Sequence, residues 1–222
     1  MDKTVLQALV RCPLFFGMSE TEIDIALAGV SYKLVNYDRH DIYALTGMPF
    51  KSADIVIRGI LVCRMSSLSG KQVEVSRLRS GNIVAPALIF GKDSSMPVSV
   101  ETDTEVTVFR MQKPEFQALL AANETVTLNF VYVLSNIDIF LTERMRVLSL
   151  YTIREKVAYL LMERAGEQGS NTIHLERSRQ EIADSFGIQK FSLLRVLSDF
   201  AKEGAIKVNG REITILDRSK MK

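Results

Sequence analysis

The sequence predicts an α+β chain in three consecutive parts: an antiparallel β jelly roll, a long helix, and a C-terminal winged helix-turn-helix. Three observations carry that prediction. Short apolar runs punctuated by glycine fill residues 32–111. Apolar residues then recur at spacings of about four and three across residues 123–148. Finally, Ser178 to Ile215 holds a helix start, a glycine break, a second amphipathic segment and an Asn-Gly hairpin signal. The expected divisions are 1–122, 123–148 and 149–222.

Composition bounds the rest. At 222 residues and 47% hydrophobic, the chain can bury a substantial core. No run approaches the ~20 apolar residues of a membrane span. The start, MDKTVLQALVRCPLFF, lacks the basic, apolar and small-residue order of a secretory leader, so the expected location is the cytoplasm. Cys12 and Cys63 form no CxxC pair, which argues against a disulfide framework and a four-cysteine iron–sulfur cluster. Net charge is +2, but residues 149–222 hold 13 Lys/Arg against 10 Asp/Glu. The basic end of the chain suits a polyanionic partner.

The first ~25 residues read as helix, with Ser19 and Glu22 forming a capping box before Ile23, Ala26, Leu27 and Val30. From Tyr32 to Met111 the strands are Ile55–Ile57, Leu61–Cys63, Val73–Val75, Val98–Val100 and Val106–Phe109, with Gly59 and Gly70 at hairpin turns. Pro114 suits a first helical turn. In the long helix, Val126, Phe130, Val133, Ile137, Phe140 or Leu141, and Leu148 form a stripe. The stripe reads as a seam with a second chain, or else as the face packed on the helix's own barrel.

Thr152 and Glu155 form a second capping box, and Ile173-His174-Leu175 suits one short strand. Ser178 and Glu181 form a third box, opening a helix that buries Ile182, Ala183 and Phe186. Gly187 breaks it. The next helix, about Lys190 to Lys202, buries Leu193, Val196 or Leu197, and Phe200. Asn209-Gly210 then joins two alternating strands, which makes the unit a winged helix.

This order of parts resembles the cyclic-AMP-receptor-protein/FNR (Crp/Fnr) family of bacterial transcription regulators. The residues that carry the resemblance are Arg179-Gln180-Glu181-Ile182-Ala183 with Gly187 and Arg195-Val196-Leu197. Supporting them are Asp41-Ile42-Tyr43 with Gly47, the Gly59/Gly70/Gly81 spacing, and Pro114-Glu115-Phe116. The resemblance implies an effector-sensing jelly roll, a dimerisation helix and a homodimer on near-palindromic double-stranded DNA. It implies RNA polymerase as a further partner if the protein activates. It places Arg179 at a phosphate contact, Gln189 and Ser192 against the DNA backbone, and Lys190, Phe191 and Arg195 at base-reading positions. Arg195 keeps the family's arginine, suited to guanine. Phe191 replaces the family's usual glutamate; it can contact a thymine methyl, or else pack against the wing or a neighbouring helix.

The family's nucleotide-binding members carry Gly-Glu and Arg-Ser pairs. Here Ala85-Pro86 and Met96-Pro97 stand in those places, so both charged partners of a cyclic nucleotide are missing. Cyclic AMP is therefore not the expected effector. Pro86, Leu88, Met96 and Pro97, with Leu141 and Thr142 of the long helix at the family's base contact, outline an apolar effector pocket. Such a pocket suits a small organic ligand or a haem, with His40, Cys12, Cys63 or a methionine as axial candidates. With two histidines and no nucleophile elbow, P-loop or paired-His motif, the chain is not expected to be an enzyme. The alternative to a transcription regulator is a cyclic-nucleotide-like ligand-binding module acting on a partner protein, and the winged helix argues against it.

Overall fold

The computed structural model describes residues 1–66 and 72–221. Gly70, expected at a hairpin turn, lies outside the described residues. The chain forms two compact units, the first spanning Met1–Asp138 and the second beginning at Ile139.

The N-terminal segment is two helices, not one: α1 (Lys3–Val10) and α2 (Glu20–Leu27), separated by a 3-10 turn at Pro13–Phe15. Pro13 and Gly17, at φ +81°, supply the break. Ser19 and Glu22 do cap α2 reciprocally.

Eight strands follow: β1 (Tyr32–Tyr37), β2 (Ile42–Ala44), β3 (Ser52–Arg58), β4 (Leu61–Ser66), β5 (Gln72–Leu78), β6 (Ile83–Val84), β7 (Ser99–Thr102) and β8 (Val106–Gln112). They form two antiparallel four-stranded sheets, ordered β1-β8-β3-β6 and β2-β7-β4-β5. This is the expected jelly roll. Three helices complete the set that packs on it: α3 (Pro86–Phe90), α4 (Lys113–Ala122) and the start of α5 (Glu124–Leu150). Gly59, at φ +90°, turns β3 into β4; a Cβ there would collide with the Glu105 carbonyl oxygen.

Strand β3 is buried on both faces, which explains its continuous apolar run. Ala53, Ile55 and Ile57 join Leu9, Leu14 and Phe116 in a cluster under the helices. Val56 faces the other way and joins Leu61, Val100 and Val108 between the sheets. Period-two alternation thus feeds two separate cores from one strand.

Helix α5 corrects the first half of the expected seam, while Phe140, Leu141 and Leu148 of its second half are exposed. Val126, Phe130 and Val133 are buried in the first unit's own core, and Ile137 packs against it. Phe130 meets Phe116 edge-on at 5.2 Å and Phe90 at 5.8 Å. The side chains left exposed on this part of α5 are Leu128, Val131 and Tyr132. Beyond Asp138, Ile139, Phe140, Leu141 and Met145 are exposed as well. By length and composition alone the helix is long and apolar enough to span a membrane, a property that core helices of soluble proteins share. Reading for uninterrupted apolar runs misses this, because polar residues such as Asn129, Asn136 and Asp138 divide the run.

The second unit continues with α6 (Ile153–Gln168), β9 (Thr172–His174), α7 (Arg179–Ser185), α8 (Lys190–Lys202), β10 (Ile206–Asn209) and β11 (Glu212–Ile215). The strands order as β10-β11-β9, so the expected short strand is present and extends the wing. Val147 of α5 joins Leu161, Ile182, Phe200 and Ile213 in one core. Arg144 places its guanidinium 4.5 Å from the Phe186 ring centre and donates from Nη2 to the Ser185 carbonyl at 3.2 Å. That contact caps the C-terminus of α7 from the side.

Candidate nucleic-acid interface

Helix α7 starts where its sequence says it should. The Ser178 amide donates to Glu181 Oε2 at 2.7 Å, and the Glu181 amide donates to Ser178 Oγ at 3.2 Å. Phe186 ends it, Gly187 takes φ +65°, and the Ile188 amide donates to the Ala183 carbonyl at 3.0 Å. The turn is tight because glycine occupies the left-handed conformation without steric cost.

Helix α8 buries Leu193, Leu197 and Phe200 against the unit's core. Its opposite face carries Lys190, Phe191, Leu194 and Arg195, all exposed. Phe191 is 73% exposed, so it packs against neither the wing nor a neighbouring helix. Gln189 sits at the N-cap in extended conformation and makes no side-chain cap. The first amides of α8 therefore have no capping side chain. Ser192 is half-buried one turn in. Among the described residues, no carboxylate pairs with Lys190 or Arg195.

Arg179 begins α7 and donates from Nη2 to the Gly210 carbonyl at 2.9 Å, which ties the helix to the wing tip. Arg211 follows Gly210 and donates from Nη1 to the Glu176 carbonyl at 3.4 Å. Burial pulls the Arg179 guanidinium below its usual pKa, and the like charge of Arg211 adds to the shift. Two arginines held this way attract an anion. The sequence reading missed Arg211; its signal is a basic residue directly after the Asn-Gly turn.

The expected effector residues come together only in part. Met96 is buried between the sheets and Leu88 packs at the edge of the same cluster. Pro86 opens α3 and is buried, following Ala85 at φ +43°. Pro97 is exposed, as are Leu141 and Thr142, which belong to the second unit. Instead, a cavity of about 190 Å³ opens beside Met96, lined also by Tyr37, Tyr43, Phe50 and Arg110. Behind Arg110 lies Asp54, fully buried. Arg110 donates to both Asp54 oxygens and, from Nη2, to Tyr37 Oη at 3.1 Å; the Tyr43 hydroxyl also donates to Asp54. Burial pushes the Tyr43 hydroxyl pKa up, and Asp54's charge pushes it further. Sequence reasoning missed this network, although Asp54 within an apolar strand was its mark.

The candidate haem ligands do not converge. His40 is exposed in a turn at φ +69°. Cys12 and Cys63 are buried in different cores. Burial pushes the Cys12 thiol up to about 12 and raises that of Cys63, which keeps both protonated and weakens them as ligands. The cavity beside Met96 is small, at about 190 Å³.

A jelly roll of the cyclic-nucleotide-binding type, a long helix and a winged helix with an exposed basic second helix define a class: DNA-binding transcription regulators. Residues 34–123 match the family model described as a cyclic nucleotide-binding domain, and residues 155–222 match the Crp-like helix-turn-helix domain. The chain belongs to the Crp/Fnr family. No curated protein sequence matches it. Among solved structures, it is similar to a mutant of CooA from Carboxydothermus hydrogenoformans at 18% identity, covering 100% of this chain and 95% of that one with a TM-score of 0.71. FixK2 from Bradyrhizobium japonicum is 16% identical over 86% of this chain and 96% of its own, with a TM-score of 0.64. The c-di-GMP-responsive regulator CLP of Xanthomonas campestris is 18% identical over 87% and 97%, with a TM-score of 0.66. At these identities the likeness shows the shared fold.

Proposed function

We propose that the chain acts as a homodimeric, sequence-specific transcription regulator, switched by an effector other than cyclic AMP. The observation that carries this reading is α8: a helix anchored by Leu193, Leu197 and Phe200 that presents Lys190, Phe191 and Arg195 outward, with no carboxylate partner for either cation among the described residues. In this reading α8 enters the major groove. Lys190, Phe191 and Arg195 meet base edges, while Arg179, Gln189 and Ser192 meet the DNA backbone together with the uncapped amides of α8. Arg211 joins Arg179 on phosphate.

The exposed side chains of α5 support the dimer. Leu128, Tyr132 and Ile139 follow a four–three rhythm completed by Ser135 and Thr142. Exposed apolar stripes of this kind are covered by a second helix. Two subunits then place their α8 helices on a near-palindrome with half-sites about 34–36 Å apart. Residues 1–122 sense the effector, 123–148 hold the dimer and 149–222 bind DNA. The effector is a small apolar ligand or a haem that binds nitric oxide, since Pro86 and Met96 replace the nucleotide's charged partners. RNA polymerase is the further partner if the protein activates. Gel shifts with fragmented genomic DNA test the reading: a discrete set of retained fragments is expected, and uniform retention or none overturns it.

A further inference from the structure

Helix α8 presents two apolar side chains where a DNA-reading helix would carry hydrogen-bonding ones. Phe191 is 73% exposed and Leu194 42% exposed. They stand three residues apart, and so are neighbours on one helical face. Lys190 and Arg195 flank them, both exposed. The buried face of the helix is complete without them, since Leu193, Leu197 and Phe200 anchor it. Leaving a phenylalanine and a leucine side by side in water is unfavourable. Charges placed around them favour a polyanion as the cover over a second apolar protein surface.

In the major groove one base-pair feature is apolar, the C5-methyl of thymine. A phenyl ring pressed on any other base edge strips water from donors and acceptors and returns no hydrogen bond, which penalises those pairs. Phe191 and Leu194 can span two neighbouring methyls, while Arg195 reaches a guanine beside them. On the reading that α8 enters the major groove, we infer that Phe191 and Leu194 read thymine methyl groups, so that each half-site carries one or two thymines whose methyls, more than their hydrogen-bonding edges, set specificity.

The test uses the full chain and an operator selected from a random duplex library. Each thymine is replaced in turn by deoxyuridine, which removes the methyl and keeps the pairing. Fluorescence anisotropy should show about threefold to fivefold weaker binding for each contacted methyl lost. Replacing the same T·A pair by C·G should weaken binding further, and 5-methylcytosine there should recover part of the loss. Phe191→Ala, which removes an exposed side chain and should leave thermal unfolding unchanged, should bind thymine and deoxyuridine operators alike. Leu194→Ala should erase the sensitivity at the adjacent position. Deoxyuridine without effect at every position, or an effect that persists in both variants, overturns the inference while leaving DNA binding intact. A selection that enriches no sequence overturns the DNA-binding reading and this one with it.

Discussion

Arg110 donates from Nε to both oxygens of Asp54, at 3.0 and 2.9 Å, and from Nη2 to Oδ2 at 2.6 Å, directly across the β3–β8 pair. Removing an ion pair from water costs both hydration shells, and attraction offsets that cost only while both partners remain. Arg110→Met leaves a buried carboxylate with the Tyr43 hydroxyl as its remaining side-chain donor. Urea denaturation should show a loss of about 3–5 kcal/mol. The triple change Asp54→Leu, Arg110→Met, Tyr43→Phe removes every charge and hydroxyl directly bonded to Asp54. It should recover most of that loss; a triple variant as unstable as the single one would mean that shape, not charge, holds these strands.

On the proposed reading, substitutions at Arg179 and Arg195 should separate positioning on DNA from reading of it. Arg179→Ala should weaken specific and non-specific DNA alike and flatten the salt dependence by roughly one unit per subunit. Arg195→Ala should cost about 1–3 kcal/mol per half-site on the matched operator and leave non-specific binding nearly unchanged. Uniform weakening by Arg195→Ala would make it a backbone contact.

In the proposed dimer, the face between subunits is the exposed stripe of α5 that includes Leu128, Tyr132 and Ile139. Ile139, 66% exposed, should tolerate charge in a monomer and not in a dimer. Ile139→Asp should sediment as a monomer at micromolar concentration while its circular dichroism stays that of the parent. Ile137→Asp should instead lower the unfolding midpoint, because Ile137 packs against the first unit's core.

Cyclic AMP should give no heat in calorimetric titration at micromolar protein. Met96 is buried among apolar side chains where the family's arginine would neutralise the phosphate, and the nearby Arg110 is already committed to Asp54. Micromolar affinity would show that a cation reaches the phosphate from elsewhere.

The Cys12 thiol, raised by burial from 9.0 to about 12, links folding to alkaline pH. A raised folded-state pKa means the folded chain keeps its proton while the unfolded one releases it above about 9. The stabilisation is therefore complete below pH 9 and lost as pH rises towards 12, by about 1.4 kcal/mol per unit. Cys12→Ala should flatten the stability profile in that window. Iodoacetamide should leave Cys12 unmodified in the native chain at pH 8 and label it in denaturant.

Features written within a few residues are legible in the sequence alone. The three capping boxes at Ser19, Thr152 and Ser178, the Gly59 and Gly187 breaks and the Asn209-Gly210 wing all form as expected, because each depends on backbone dihedrals and donors a turn apart. Together they determine the order of jelly roll, long helix and winged helix. The outward faces of Lys190 and Arg195 follow from the amphipathic period of α8, whereas that of Phe191 is decided by the structure, which leaves it exposed.

What the sequence leaves undecided depends on partners far away along the chain. Helix α5 is apolar on more than one side, so its period offers several stripes of equal merit. Only the packing of Phe130 against Phe116 and Phe90 decides which one faces the jelly roll and which stays exposed. Asp54 and Arg110 are 56 residues apart and meet only because β3 pairs with β8 in one register. Arg211 stands near Arg179 only once the wing folds back on α7. Local dihedral preference and capping act over one turn and are legible in a single line of residues. Burial and charge pairing are properties of a surface and its cover, and these exist only after the chain has closed on itself.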